Sequence, residues 1–202
     1  MEEYVARLER DKTVVVFGGT FDPPHVGHLV VADDVYYRLQ PSAVLFMPAA
    51  TPPHKLEGVH TAAETRLHMV RLAVAGDRRF VASALEVERG GVSYTVDTVA
   101  ALRAAGFRDV TVAVGADNLA EVTTWKGWEL LLAEARLVAL TRPGYDLAAA
   151  PAELAGKFEP LEVTPIPVSS TLVRNRVKER APFRYLVPRA VFDFILSSRL
   201  YR

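Results

Sequence analysis

Gly18-Gly19-Thr20-Phe21-Asp22-Pro23-Pro24-His25-Val26-Gly27-His28-Leu29 follows directly on the β-branched and aromatic run Thr13–Phe17. Such a run, halted by paired glycines, reads as a buried strand that stops at a tight turn. Beyond Pro23-Pro24, apolar residues recur at helical spacing (Leu29, Val30, Val35, Leu39), which predicts a helix from about Val26 to Leu39. Strand, glycine turn and helix in that order open a βα unit. The glycines let backbone approach a ligand closely, and the helix start offers unpaired N–H groups and the positive end of its dipole. Together these make an anion site, and phosphate is its natural guest.

The same rhythm continues outward. Strands are expected at Ala43–Met47, Phe80–Val81, Ala84–Val87, Val110–Val114 and Leu137–Leu140, with a return to the sheet near Phe158–Val163. Helices are expected at Thr61–Ala75, where Thr61 and Glu64 form a capping-box pattern, and at Tyr94–Ala105, Trp128–Ala135, Ser170–Arg180 and Pro188–Ser198. This alternation predicts an α/β fold of Rossmann-like, doubly wound type: a mostly parallel sheet with helices on both faces, plus a small C-terminal helical segment. One domain covers 1–202, with a core at 13–165 and the helical segment at 166–202. Ligands of such sheets sit at the carboxyl ends of the strands, where the crossover direction changes.

Composition narrows the chemistry. The 202 residues carry 24 Lys+Arg against 24 Asp+Glu, so no bulk positive field is present to hold a nucleic acid by counterion release. Arg174, Arg176, Lys178, Arg180, Arg184 and Arg189 form a local basic run, which reads as a solvated helix face with one or two members recruited to phosphate. The absence of cysteine removes disulfides, thiolate nucleophiles and thiolate zinc sites, and fits a reducing cytoplasm. The charged start MEEYVARLERDK lacks the apolar core of a signal peptide, and no stretch approaches the ~18 continuous apolar residues of a spanning helix. A cytoplasmic protein without membrane partners is expected; the sequence leaves room for a homo-oligomer.

His25 and His28 lie three apart at the helix start and so share a face. Two imidazoles there suit one polyphosphate. A zinc half-site, solvent-facing histidines and a simple turn cap compete with that reading; zinc lacks convincing further ligands, His54 and His60 being in a Pro/Gly-rich loop. In Val168-Ser169-Ser170-Thr171-Leu172-Val173-Arg174, hydroxyls at another helix start are ordinarily N-caps. Set opposite a first phosphate-binding turn, the same hydroxyls, N–H groups and guanidinium can hold the far end of a triphosphate.

GGTFDPPHVGHL resembles the T/HxGH signature of the nucleotidyltransferase superfamily, and VSSTLVR its C-terminal ISSTxxR partner. Further segments bring the resemblance to bacterial nicotinate-nucleotide adenylyltransferases: Met47-Pro48 with Pro52-Pro53-His54-Lys55, Ser93-Tyr94-Thr95-Val96-Asp97-Thr98, Gly115-Ala116-Asp117 followed by Trp125, Arg142-Pro143-Gly144, and Tyr185-Leu186-Val187-Pro188. It covers nearly the whole chain beyond the first dozen residues. Pro24 stands where that family often has an aliphatic residue, and Val168 replaces the usual isoleucine.

The resemblance implies adenylyl transfer from ATP to nicotinate mononucleotide, by in-line attack of the acceptor phosphate and without a covalent intermediate. It implies Gly18, Gly19, Thr20, Phe21, His25, His28, Gly115, Asp117, Ser169, Ser170, Thr171 and Arg174 at ATP, with His25, His28, Lys55 and Arg174 serving the chemistry. Lys55, Tyr94, Thr95, Trp125 and Arg142 are implied at the acceptor, with the aromatic ring of Trp125 on the pyridine and Thr95 with main-chain N–H groups on its carboxylate. Mg2+ is implied as riding on the triphosphate rather than in a metal site of the protein. Nicotinamide mononucleotide as acceptor, and a non-catalytic nucleotide-binding module, remain as alternatives. A dinucleotide oxidoreductase and a P-loop kinase fail for want of G-x-G-x-x-G and GxxxxGK[ST].

Overall fold

The computed structural model describes residues 13–52, 61–141, 144 and 150–202. In chain order the elements are β1 (Val14–Gly19), α1 (Val26–Leu39), β2 (Ala43–Pro48), α2 (Ala63–Val74), β3 (Phe80–Ala82), α3 (Leu85–Arg89), α4 (Thr95–Ala104), β4 (Val110–Gly115), α5 (Ala116–Leu119), α6 (Trp128–Glu134), β5 (Arg136–Thr141), β6 (Glu159–Glu162), α7 (Ser170–Lys178) and α8 (Arg189–Ser197). Short 3-10 turns cover Val122–Thr124 and Ala152–Leu154.

The sheet runs in the order β3-β2-β1-β4-β5-β6, and each of its strand pairs is parallel. Parallel strands need crossovers, and the crossovers carry the helices that cover both faces. Side-chain alternation along a strand therefore buries both sides of β1. Val14 and Val16 pack with Leu45, Met47, Val112 and Val114 under Val99 and Leu102 of α4 and Leu131 of α6. Val15 and Phe17 pack with Val44, Phe46 and Val138 under Ala32 and Val35 of α1 and Val70 of α2. Burying each such side chain stabilises the fold by about 1.5–3 kcal/mol, which is why the strand reads as continuous apolar sequence. A third cluster joins Met69 of α2 to Val173, Val177, Val187, Val191 and Ile195, and so fastens the C-terminal segment to one side of the core.

Two local expectations give way. Ala84–Val87, expected as a strand, lies at the N-cap and first turns of helix α3. Leu85 and Val87 fit either period, and the helix allows the Glu86 carboxylate to accept from Thr98 Oγ1 at 2.6 Å on α4. Thr61 does not cap α2: the N-cap is Ala62, without a side-chain bond. The Thr61 carbonyl instead accepts from Arg66 Nε at 3.0 Å, and its hydroxyl meets the Tyr201 phenol. Among the described residues no helix is long and apolar enough to cross a membrane.

Candidate active site

β1 is the point where the strand order reverses, with β2 on one side and β4 on the other. A cavity of about 420 Å3 opens there at the carboxyl ends of the strands. Gly18 and Gly19 of β1 with Thr20 just beyond, Met47 of β2 with Ala49 just beyond, and Gly115 of β4 meet Ser93, Tyr94, Thr95, Trp125 and Lys126 around it. A hollow of about 460 Å3 lies at the opposite end of β4 and β5, where Arg136 pairs with Glu159 at 2.7 Å and Arg103 with Glu134 at 3.7 Å. The glycine turn faces the first of these two.

Each glycine of the turn has its own reason. A Cβ on Gly18 would meet nothing within 4 Å, so the space above it is open to a ligand. A Cβ on Gly19 would come within 2.9 Å of the Phe21 ring, which is folded beneath the turn and 2 % exposed. Phe21, expected at ATP, thus supports the turn from below and can offer a ligand only its backbone. Gly27 is required by a side chain: a Cβ there would lie 3.1 Å from His25 Nδ1.

His25 is the N-cap of α1, and its ring stacks on that of His28 with centroids 3.7 Å apart. His28 Nδ1 accepts from the His25 N–H at 3.1 Å. In a neutral imidazole the proton must then sit on Nε2, which makes His28 Nε2–H a donor held in a fixed orientation. Burial lowers the His25 pKa from 6.5 to about 4, and its Nδ1 has no hydrogen-bond partner among the described residues. His25 is therefore neutral near pH 7.

That neutrality has a measurable consequence. The unfolded chain takes up a proton on His25 below pH 6.5 while the native state resists until about pH 4, so stability falls as pH drops through this window. The loss amounts to on the order of 3 kcal/mol. Denaturant unfolding at pH 7 and pH 4 should show it, and a His25→Gln variant should show a shallower slope. An equal slope in both proteins would place the acid sensitivity elsewhere.

The segment Val168–Arg174, expected at the far end of a triphosphate, lies against the glycine turn. Ser170 Oγ donates to the Pro23 carbonyl at 2.8 Å, and Arg174 Nη1 to the Asp22 carbonyl at 2.8 Å. Arg174 Nη2 also reaches Thr171 Oγ1 at 3.2 Å. Ser169 is the N-cap of α7, accepting from the Leu172 N–H at 3.1 Å. These hydroxyls thus serve the protein first, and what α7 can present to a phosphate is its first-turn N–H groups and the guanidinium.

Several residues not singled out in the sequence build this region. Arg66 is 1 % exposed and spans three segments: it donates to Thr20 O at 2.8 Å, to Ala49 O and Ala50 O at 2.7 and 2.9 Å, and to Thr61 O. Tyr201 Oη donates to the buried Asp22 Oδ1 at 2.6 Å, and burial followed by that bond pushes the phenol pKa up, keeping it a donor. Glu86, raised by burial against the opposing bonds from Thr98 and Ser93, lies under the Ser93–Thr95 wall of the cavity. No sequence signal marked Arg66 or Tyr201, since each works through partners far along the chain.

The remaining expected residues divide. Gly115, Tyr94, Thr95 and half-buried Trp125 line the cavity. Asp117 does not: it is exposed inside the short helix α5, whose N-cap is Gly115, and its neighbour Asn118 takes the place at the cavity wall. Lys55 and Arg142 lie outside the described residues, as do His54 and His60.

The cytidylyltransferase-like family model matches residues 16–176. The chain belongs to this family. A Thermus thermophilus protein named "Probable nicotinate-nucleotide adenylyltransferase" is 46% identical over 188 residues, covering 93% of this chain and 98% of its own. One of the same name from Moorella thermoacetica is 41% identical, covering 96% and 94%. The resemblance read from the motifs is thereby borne out. Among solved structures, Plasmodium falciparum nicotinic acid mononucleotide adenylyltransferase complexed with NaAD is similar in fold, with TM-score 0.75 over 94% of this chain and 97% of that one at 16% identity.

Proposed function

We propose that the protein transfers the adenylyl group of ATP to nicotinate mononucleotide, giving nicotinate adenine dinucleotide and pyrophosphate in NAD biosynthesis. The curated relatives named for that activity support the reaction, and the contact of the His25–His28 turn with the start of α7 supports where it occurs. That contact is the 2.8 Å bond from Ser170 Oγ to Pro23 O.

In this reading a phosphate oxygen of the acceptor attacks the α-phosphorus of ATP. The new P–O bond forms as the bond to the β-phosphate oxygen breaks, and pyrophosphate leaves with the electron pair. The attacking oxygen is already anionic and needs no base. The protein's contribution is alignment and donors aimed at charge that grows in the transition state. His28 Nε2–H and the main-chain N–H groups of the Gly18–Thr20 turn act on the α- and β-phosphates, while the α7 start and Arg174 hold the outgoing end. Lys55 and Arg142 are proposed at the acceptor. Mg2+ would neutralise charge on the phosphates: the side chains of the two facing segments are imidazole, hydroxyl and guanidinium, with the Asp22 carboxylate accepting from Tyr201, so phosphate oxygens and water would hold most of its shell.

Pyrophosphate release from Mg-ATP with nicotinate mononucleotide, nicotinamide mononucleotide and phosphopantetheine tests the reading. The expected order is the acid well ahead of the amide, with no release for phosphopantetheine. Thr95 and nearby N–H groups can donate to a carboxylate, whereas an amide sets its own N–H groups against them. Equal use of acid and amide would remove the acceptor assignment, and no release with any acceptor would remove the activity.

A further inference from the structure

Lys126 is the only cation among the described residues that line the cavity, while Glu86 and Glu121 bring two carboxyl groups to the lining. That balance is ill-suited to an acceptor that carries a carboxylate on its ring unless the lysine is engaged with it. The Lys126 ammonium lies 4.5 Å from the centroid of the Tyr94 ring and 3.1 Å from Asp97 Oδ2. Both neighbours belong to the start of α4, next to Thr95. The side chain is half exposed, as is that of Asp97, so neither charge is locked in place by burial.

We propose that Lys126 sets the acceptor preference: its ammonium exchanges the Asp97 carboxylate for the carboxylate of the acceptor's pyridine ring, and so favours acid over amide. The inference rests on the acceptor assignment made above and adds to it a residue and an electrostatic cause. Trp125 and Lys126 both line the cavity, so an acceptor ring seated on the first has the second within the same lining. Tyr94, under the ammonium, keeps it at the cavity rim by attraction to the ring face. Asp97 is its resting partner when no acceptor is bound. An amide cannot take part in this exchange, because it carries no charge to replace the one that Asp97 gives up.

The test compares wild type, Lys126→Met and Asp97→Asn, reading kcat/KM for nicotinate mononucleotide and for nicotinamide mononucleotide with Mg-ATP in excess. Lys126→Met keeps the length of the stem and removes the charge. Its acid-to-amide ratio should fall about fivefold, the scale of a partly exposed ion pair. Asp97→Asn frees the ammonium and should hold or raise the ratio. Raising the salt concentration should lower the ratio in wild type and leave it flat in Lys126→Met. A lysine that only steadies Tyr94 would lower both efficiencies together, and an unmoved ratio in Lys126→Met overturns the proposal. So does an equal fall of the ratio in both variants, which would assign the effect to the intact pair. Wild-type turnover with that unmoved ratio would leave the adenylyl transfer standing, whereas no wild-type turnover with either mononucleotide would remove both.

Discussion

His28→Ala should release pyrophosphate roughly 100- to 1,000-fold more slowly than wild type at saturating substrates, the usual cost of one preorganised donor at a developing charge. The expectation rests on orientation. His28 Nδ1 is taken by the His25 N–H, so the proton on Nε2 is presented in a fixed direction by an imidazole that stacks on a second ring. Alanine removes both the donor and the acceptor for the N-cap N–H, but it sits in the first turn of a 14-residue helix and should leave the fold in place. Circular dichroism and the thermal midpoint should therefore stay close to wild type while kcat collapses. A variant that keeps turnover within about threefold would take His28 out of the chemistry; the wild-type rate is what the donor has to explain.

The largest effect on stability is expected at Arg66. Arg66→Ala leaves the carbonyls of Thr20, Ala49, Ala50 and Thr61 without their donor in a buried setting. Stranding polar groups in this way should cost on the order of 4 kcal/mol, which for a chain of this size lowers Tm by roughly 10 °C. Arg66→Lys keeps the charge but replaces a planar fork with a single ammonium, which cannot reach three segments at once, so it should fall between the two. Denaturant unfolding of the three proteins checks the order. A loss under about 1 kcal/mol in Arg66→Ala would mean that water satisfies those carbonyls.

What could be read from the sequence was whatever is local. β1 and the glycine turn were legible because a run buried on both faces needs no partner to be recognised, and paired glycines stop it. The reach of α1 and α7 was legible from spacing alone, within a residue or two. Motif resemblance supplied what spacing could not, namely that two distant helix starts lie together. The failures share a cause. Leu85-Glu86-Val87 alternates like a strand, and the partner that the helix gives Glu86, the hydroxyl of Thr98, lies twelve residues on. Thr61 and Glu64 look like a capping box until Arg66 claims the carbonyl and Tyr201 the hydroxyl. A buried arginine cannot be told from a surface one by periodicity, since what buries it comes from three other segments. Asp117 and Asn118 differ by one position on a short helix, and sequence has no means of choosing which of them faces the cavity.

The bond from Tyr201 to Asp22 joins residues 179 positions apart. During synthesis the glycine turn leaves the ribosome first, and the group that anchors the Asp22 carboxylate follows it 179 residues later. At about 5–20 residues per second that interval is on the order of 10 to 40 seconds. The sheet can assemble in that time, but the turn that carries His25 stays without this anchor until Tyr201 has emerged. The finished shape of the glycine turn should therefore appear after the sheet beneath it has formed, set by a residue made long after the turn itself.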